Sequence, residues 1–329
     1  MTTFNKNQPL VTFAALSDLQ YGNFDDGYNF QKTKKRYYRN SLEIQKKAVK
    51  QWKEMSPEVE FIVHLGDIID GFNKRHGISQ SSLDWVIKTF EKFRVYHLIG
   101  NHELYNFTRT ELINTPLYSA GLKECQDFSS PNTSFYYTFL PHACFRIIVL
   151  DSYDISVIGW PESSEKHQLG LRYLDNNVND DKNSPGNMTG LDRRFVKFNG
   201  GVSDDQLQWL EKILKHSQDK RENILVIGHL PILSTPIDTM NLLWNYDEVL
   251  NILHQYSCVI AYFSGHDHDG GFGIDDHNIP HLTFPAILEC PPDSVPPLAT
   301  LKLYTDTLQL TGQGQIKDMN FKLTFPIES

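Results

Sequence analysis

Five short polar clusters hold the residues whose types and spacing point to chemistry. They are Asp18-Leu-Gln20, Gly66-Asp67-Ile-Ile-Asp70, Gly100-Asn101-His102-Glu103, Gly228-His229 and Gly265-His266-Asp267-His268. Carboxylates, amides and imidazoles are all competent ligands for divalent cations. Four clusters place glycine just before the polar residue, where a missing Cβ lets the backbone turn sharply and aim the next side chain. Taken singly, each has a plain explanation. Asp18 fits a helix cap, Asn101 a turn, and His266 and His268 alternate positions of an exposed segment. All five in this order, each behind an apolar segment, point to a metal-dependent site.

The elements that must position these clusters can be read from periodicity. Val11–Leu16, Phe61–His64 and Val95–Ile99 are expected strands, separated by helices over Lys34–Lys53 and Ser81–Phe93. A second set begins at Phe145–Leu150. It continues with a helix from a Ser203/Gln206 capping box to about His216, a strand at Asn223–Ile227, a helix over Tyr246–Gln255 and a strand at Val259–Phe263. Alternating strands and helices indicate parallel βαβ units, and ligands bind such sheets at the carboxyl ends of their strands. Beyond His281 the pattern is strand-like without helices (Leu282–Leu288, Thr300–Tyr304, Thr307–Thr311), which suggests antiparallel strands completing a second sheet. A polar stretch over 153–202 reads as a loop-rich insertion. With no repeat and no linker composition, one domain over 1–329 is expected.

Composition narrows the class. Over 329 residues, 31 Lys+Arg against 40 Asp+Glu give a formal charge of -9, which disfavours binding to long nucleic acid. Hydrophobic content of 40% excludes wholesale disorder, and no apolar run reaches the roughly 18 residues of a membrane span. The start, Met1 to Leu10, lacks the pattern of a signal peptide. Sequons at Asn106, Asn132 and Asn187 are therefore read as chance. Cys125, Cys144, Cys258 and Cys290 are scattered and read as buried thiols rather than disulfides or zinc ligands. A cytoplasmic monomer without membrane attachment is the expectation.

The cluster order resembles the calcineurin-like metallophosphoesterases, whose blocks are D-x-H, GD-x-x-D, GNH-[DE], GH and GH-x-H. The resemblance implies a four-layer α/β/β/α sandwich, with two mixed β-sheets packed face to face and helices outside. It also implies two divalent metal ions bridged by Asp67. Asp18, Gln20 and His268 would complete the first position; Asn101, His229 and His266 would complete the second. His102 would stabilise charge near the scissile phosphate and act as general acid, while Asp70 and Glu103 would orient ligands through hydrogen bonds. The departure is Gln20, where most relatives have His. An amide oxygen is a harder, weaker ligand than imidazole, so an exchangeable Mn²⁺ or Mg²⁺ is expected there rather than zinc or iron.

Further runs are similar to the manganese-dependent ADP-ribose/CDP-alcohol diphosphatases. They include Asp18-Leu-Gln-Tyr-Gly22, Asp26-Gly-Tyr-Asn-Phe30, Arg36-Tyr-Tyr-Arg39, Phe198-Asn-Gly-Gly201, Trp244-Asn-Tyr246 and Gly265-His-Asp-His-Asp-Gly-Gly271. Gln313 and Gln315 stand where arginines are expected in relatives. The resemblance implies that a nucleoside diphosphate-linked alcohol or sugar, such as CDP-choline or ADP-ribose, is hydrolysed to a nucleoside monophosphate and a phosphorylated partner. Two M²⁺ ions with Asp18 and Asp67 leave about +2 on the site, which suits a diphosphate. Direct attack by metal-activated water is expected, since no nucleophile elbow or P-loop is present. Phe30 is either a base-stacking platform or loop core. Lys34, Lys35, Arg36 and Arg39 either meet phosphates or form a solvated helix face. A phosphomonoesterase or cyclic-nucleotide phosphodiesterase is the alternative on the same metals, and a non-catalytic scaffold the alternative from another class.

Overall fold

The computed structural model describes residues 8–90, 93–125 and 133–327. The start of the chain through residue 7, Lys92 near the end of the second expected helix, and the Asn132 sequon lie outside the described residues. In chain order the first half contains β1 (Val11–Leu16), β2 (Gly27–Tyr28), β3 (Lys35–Arg36), α1 (Tyr38–Lys53), β4 (Phe61–His64), α2 (Phe72–His76), α3 (Ser79–Phe90), β5 (Arg94–His97), α4 (Asn101–Asn106) and α5 (Arg109–Leu112). Then follow β6 (Tyr137–His142), β7 (Phe145–Leu150), α6 (Glu165–Leu174), α7 (Asp204–Lys220), β8 (Asn223–Gly228), α8 (Tyr246–Leu253) and β9 (Val259–Ser264). The chain closes with β10 (Gly271–Ile274), β11 (Pro280–Thr283), β12 (Ala299–Leu303), β13 (Thr307–Gly312) and β14 (Met319–Lys322).

Strand periodicity explains the layers. Side chains alternate between faces, so a strand covered on both sides must be apolar throughout. Phe13 and Ala15 of β1, Phe61 and Val63 of β4, and Phe145, Ile147 and Val149 of β7 share one core with Leu225, Ile227 and Phe263. Their alternates Ala14, Leu16, Ile62, Ile148 and Val226 pack instead with Leu42, Trp52, Leu83, Leu210, Ile213 and Val249 of the helices. The result is the expected four-layer sandwich. Its sheets are six-stranded, with orders β14-β13-β12-β1-β4-β5 and β10-β11-β9-β8-β7-β6. Burying each such Leu, Ile or Phe contributes roughly 1.5–3 kcal/mol before chain entropy is counted.

Four expectations need correction. Of the C-terminal strands, β10 and β11 extend the second sheet, but β12, β13 and β14 complete the first: β12 pairs antiparallel with β1, Val11 opposite Leu303. The expected strand over Leu282–Leu288 stops at Thr283 and gives way to a 3-10 turn, Ile287–Glu289. The first helix begins at Tyr38, because Lys35–Arg36 pairs with Gly27–Tyr28 as a small ribbon. Finally, Ser203 caps α7 by accepting from Gln206 N–H, but the Gln206 side chain does not close the box. It binds Asp151 instead, accepting from its N–H at 2.9 Å and donating to its carbonyl at 3.1 Å. The polar stretch 153–202 holds α6, and Ile155, Leu174 and Phe195 make a small core with Trp244. No helix among the described residues is long and apolar enough to cross a membrane.

Candidate metal centre

All five clusters leave the carboxyl ends of strands: Asp18 and Gln20 after β1, Asp67 and Asp70 after β4, His102 after β5, His229 after β8, His266 and His268 after β9. Reaching one point from different strands requires unusual backbone. Asp18, Gln20, Asp67 and His266 all adopt the left-handed region, with φ of 49°, 42°, 57° and 67°. Such residues cost on the order of 1–3 kcal/mol each and persist where surrounding structure holds them. Two of the preceding glycines serve close approach rather than turning. A Cβ on Gly100 would strike the Asp67 carboxylate and come within 2.7 Å of His229 Nε2; one on Gly265 would strike Ser17 Oγ and the Asp18 carboxylate.

The side chains converge as two overlapping groups. Asp67, His229 and His266 each offer a ligand atom, all within 4.8 Å of one another. In the other group, Asp18 Oδ1 lies 3.6 Å from His268 Nε2. Gln20 joins the groups, its amide nitrogen lying 3.4 Å from Asp18 Oδ1, 3.2 Å from Asp67 Oδ2 and 2.9 Å from His268 Nε2. Three acceptors around one donor mark a place for positive charge. Turning that amide about its terminal bond would present Oε1, now buried without a partner, to the same point. Asn101 opens α4, its Oδ1 accepting from the Tyr153 hydroxyl at 3.2 Å.

Hydrogen bonds at the back of each imidazole decide which nitrogen faces inward. His229 Nδ1 donates to the Leu65 carbonyl at 2.7 Å, leaving Nε2 buried and without a hydrogen-bond partner. His266 Nε2 lies 3.0 Å from Asn199 Oδ1. Asn199 Nδ2 donates to the carbonyls of Arg194, Met240 and Leu242, which fixes the amide orientation. His266 therefore carries its hydrogen on Nε2, and its Nδ1 keeps the lone pair. His268 Nδ1 is held at 2.8 Å by Glu289 Oε1, with Nε2 toward Asp18. Neither Asn199 nor Glu289 was singled out from sequence. Asn199 sits within the Phe198-Asn-Gly-Gly201 run that carried part of the resemblance; Glu289 has no local signal.

Glu103 and Asp70 take supporting positions. Glu103 accepts from the N–H groups of Asp67, Ile68 and Gly100 at 2.9, 2.7 and 2.7 Å, pinning the second and third clusters together. Burial and the Asp67 charge push its carboxyl up to about 7, against those three hydrogen bonds. His102 Nδ1 accepts from Gly71 N–H at 2.8 Å and lies 3.3 Å from Asp70 Oδ2, so in either charge state its Nε2 carries a hydrogen. Asn106 is buried, its Nδ2 donating to the Asp70 and His102 carbonyls, so the first sequon is inaccessible.

Charge tests whether divalent ions fit. Asp18 and Asp67 are essentially unexposed, and no Lys or Arg among the described residues forms an ion pair with either. Burial drives the Asp18 carboxyl upward, with Asp67 adding to the rise. Burial opposes ionisation of Asp67 too, but His102 and His229 outweigh it and hold that carboxyl far below the usual range. His229 in turn rises to about 9, Asp67 overcoming the effect of burial. A pocket that draws a proton onto an imidazole and resists charge on a carboxylate is short of positive charge, which two divalent ions supply. The donor set, the two orphaned atoms and this deficit all fit such ions.

The remaining candidates lie beside this centre. Phe30 is 94% exposed at the tip of the β2–β3 ribbon, so the loop-core alternative is wrong. Of the four basic residues only Arg39 lies on a solvated helix face, pairing with Asp25; Lys34 pairs with Asp269 and Glu289, Lys35 with Asp26, and Arg36 Nε lies 3.6 Å from Glu289 Oε1. Gln313 donates its N–H to Leu298 at the end of β13, and Gln315 is exposed. Trp52, Trp209 and Trp244 are core as expected, whereas Trp85 is half exposed.

The profile of the calcineurin-like phosphoesterases matches residues 11–270, spanning every one of the five clusters. The chain belongs to this family. Within it, the chain is 40% identical to a manganese-dependent ADP-ribose/CDP-alcohol diphosphatase from Xenopus tropicalis, over 97% of this chain and 96% of that one. Its counterpart in Arabidopsis thaliana is 38% identical, over 96% and 98%. A solved dimetal phosphatase from Danio rerio superposes with a TM-score of 0.91 at 40% identity, covering 96% of this chain and all of that one. The family fold and these near full-length relatives agree with the four layers described above.

Proposed function

We propose that this chain is a manganese-dependent diphosphatase. It hydrolyses the phosphoanhydride bond of ADP-ribose, CDP-choline and other CDP-alcohols, releasing a nucleoside monophosphate and a phosphorylated alcohol or sugar. The observation that carries the reading is the buried, positively deficient pocket in which Asp67, His229 and His266 meet and Gln20 ties Asp67 to Asp18 and His268, within a chain similar over nearly its full length to enzymes of that activity. Asp18, Gln20 and His268 are assigned to one metal position, Asn101, His229 and His266 to the other, and Asp67 to both.

When bound, the two ions would polarise the phosphoryl oxygens and lower the pKa of attacking water. The chain's own residues supply the rest. His102 presents a hydrogen on Nε2, which lies 3.9 Å from Asp67 Oδ2, and is placed to donate to the departing phosphate. Gly71 N–H and Asp70 hold that ring from behind, and Glu103 holds the loops carrying Asp67 and His102 at fixed separation. Phe30 offers an open face for stacking a nucleobase, and Arg36 a nearby cation for the diphosphate. The four cysteines are free, which suits a reducing cytoplasmic setting.

Product analysis tests the reading. With Mn²⁺, ADP-ribose and CDP-choline should yield AMP and CMP, and chelator or His102→Ala should abolish most of that release. Hydrolysis confined to p-nitrophenyl phosphate would reject the substrate assignment.

A further inference from the structure

Glu289 lies beyond the region matched by the family profile, which ends at residue 270. It closes the 3-10 turn Ile287–Glu289, and that turn is a junction. Ile287 and Leu288 N–H donate to the Ser17 and Asp18 carbonyls at 3.5 and 3.1 Å. Ala286 N–H donates to the His268 carbonyl at 3.1 Å, and the Leu288 carbonyl accepts from Tyr37 N–H at 2.9 Å. The turn thus touches both loops of the first metal position and the root of the β2–β3 ribbon.

The Glu289 side chain is only 10% exposed and spends one oxygen on His268 Nδ1, at 2.8 Å. An ionised carboxylate only accepts, so Nδ1 carries the ring hydrogen and the Nε2 lone pair faces Asp18 and Gln20. Two cations of the ribbon hold the carboxylate in place. Arg36 Nε lies 3.6 Å from Oε1 and Lys34 Nζ 3.7 Å from Oε2, distances of ion pairing rather than hydrogen bonding. Both Arg36 Nε and Glu289 Oε2 are buried without a hydrogen-bond partner. Buried charge of this kind, set behind a ring that faces a metal pocket, is the arrangement that fixes ring orientation and ligand basicity.

We propose that Glu289 is a positioning residue for the first metal position, locking His268 with its Nε2 lone pair inward. The proposal rests on the dimetal reading above. Without Glu289 the ring can turn or carry its hydrogen on Nε2, placing that hydrogen where a cation must bind.

The test is Mn²⁺ binding to the apo protein, read as free Mn²⁺ by electron paramagnetic resonance, with thermal unfolding of each variant recorded alongside. Wild type should take two equivalents. Glu289→Ala should weaken one of them about 10- to 100-fold and leave the other unchanged. Glu289→Gln, whose amide oxygen still accepts from Nδ1, should lose less than Glu289→Ala. If both variants unfold at lower temperature yet bind two equivalents like wild type, Glu289 is only a structural residue and the proposal is overturned. If wild type binds no Mn²⁺, the dimetal reading itself fails and the proposal falls with it; that result cannot be confused with the previous one.

Discussion

Asn199→Ala should separate the chemistry of the metal pocket from the stability of the loop that carries Asn199. The substitution deletes the acceptor for His266 Nε2 at 3.0 Å and the donor to the Arg194, Met240 and Leu242 carbonyls at 2.9, 2.7 and 3.1 Å. An amide has two hydrogens, so two of those three carbonyl contacts can be full hydrogen bonds at once. Three lost buried bonds at roughly 1–1.5 kcal/mol each give about 3–5 kcal/mol of destabilisation. His266 also loses the group that fixes its tautomer, which should reduce Mn²⁺ affinity about 10- to 100-fold. Asn199→Asp divides the two effects, since it still accepts from His266 but donates to no carbonyl. The assays are urea unfolding of the apo protein and Mn²⁺ titration of each variant under native conditions. Both variants should be destabilised, while Asn199→Asp keeps the higher Mn²⁺ affinity. Wild-type Mn²⁺ affinity in Asn199→Ala would refute the tautomer argument.

Other expectations follow from single contacts. Gln20→His should raise affinity for Zn²⁺ relative to Mn²⁺, because imidazole is the softer ligand; an unchanged metal-activation profile would contradict this. Phe30→Ala should raise KM for ADP-ribose about 5- to 150-fold, the equivalent of roughly 1–3 kcal/mol of lost stacking, and an unchanged KM would remove Phe30 from the site. The buried pair Arg146–Glu222 has Nε to Oε2 at 2.7 Å, and Ser217 donates to the same oxygen. Burial would raise the Glu222 carboxyl, but Arg146 and Ser217 outweigh it and hold it below its ordinary 4.5. A depressed folded value adds stability that is complete above about pH 4.5 and lost as pH falls through the folded value. Glu222→Gln should therefore flatten the acid limb of stability measured by urea unfolding, and removal of one partner of a buried pair should cost about 3–5 kcal/mol at neutral pH. An acid limb identical to wild type would refute the pair's role.

The sequence carried the site further than it carried the sheet assignments. Asp18, Asp67, His102, His229 and His268 were legible because each follows a strand whose apolar run announces it, and strand ends in such sheets meet at one edge. The partner of β12 was not legible. Its pairing with β1 joins residues nearly the whole chain apart, and antiparallel strands give no local sign of which edge they extend. Asn199 and Glu289 carry no mark in the sequence for a related reason. An amide in a polar loop and a carboxylate after an apolar turn gain meaning only when folding sets them behind His266 and His268. Lys35 and Arg36 look helical by composition, yet pairing with Gly27–Tyr28 and the charge of Glu289 draw them into the ribbon. Gln20 was legible as a departure, and its amide contacts with Asp18, Asp67 and His268 give that departure a physical place.

The most direct test of the dimetal centre is a crystal of this protein grown with Mn²⁺ and measured at the manganese absorption edge. Two anomalous peaks ~3.5–4 Å apart are expected, bridged by Asp67, with Gln20 Oε1, His268 Nε2 and Asp18 around one and His229 Nε2, His266 Nδ1 and Asn101 around the other. A single peak, or a peak coordinated by His266 through Nε2 or by Glu103, would contradict that arrangement.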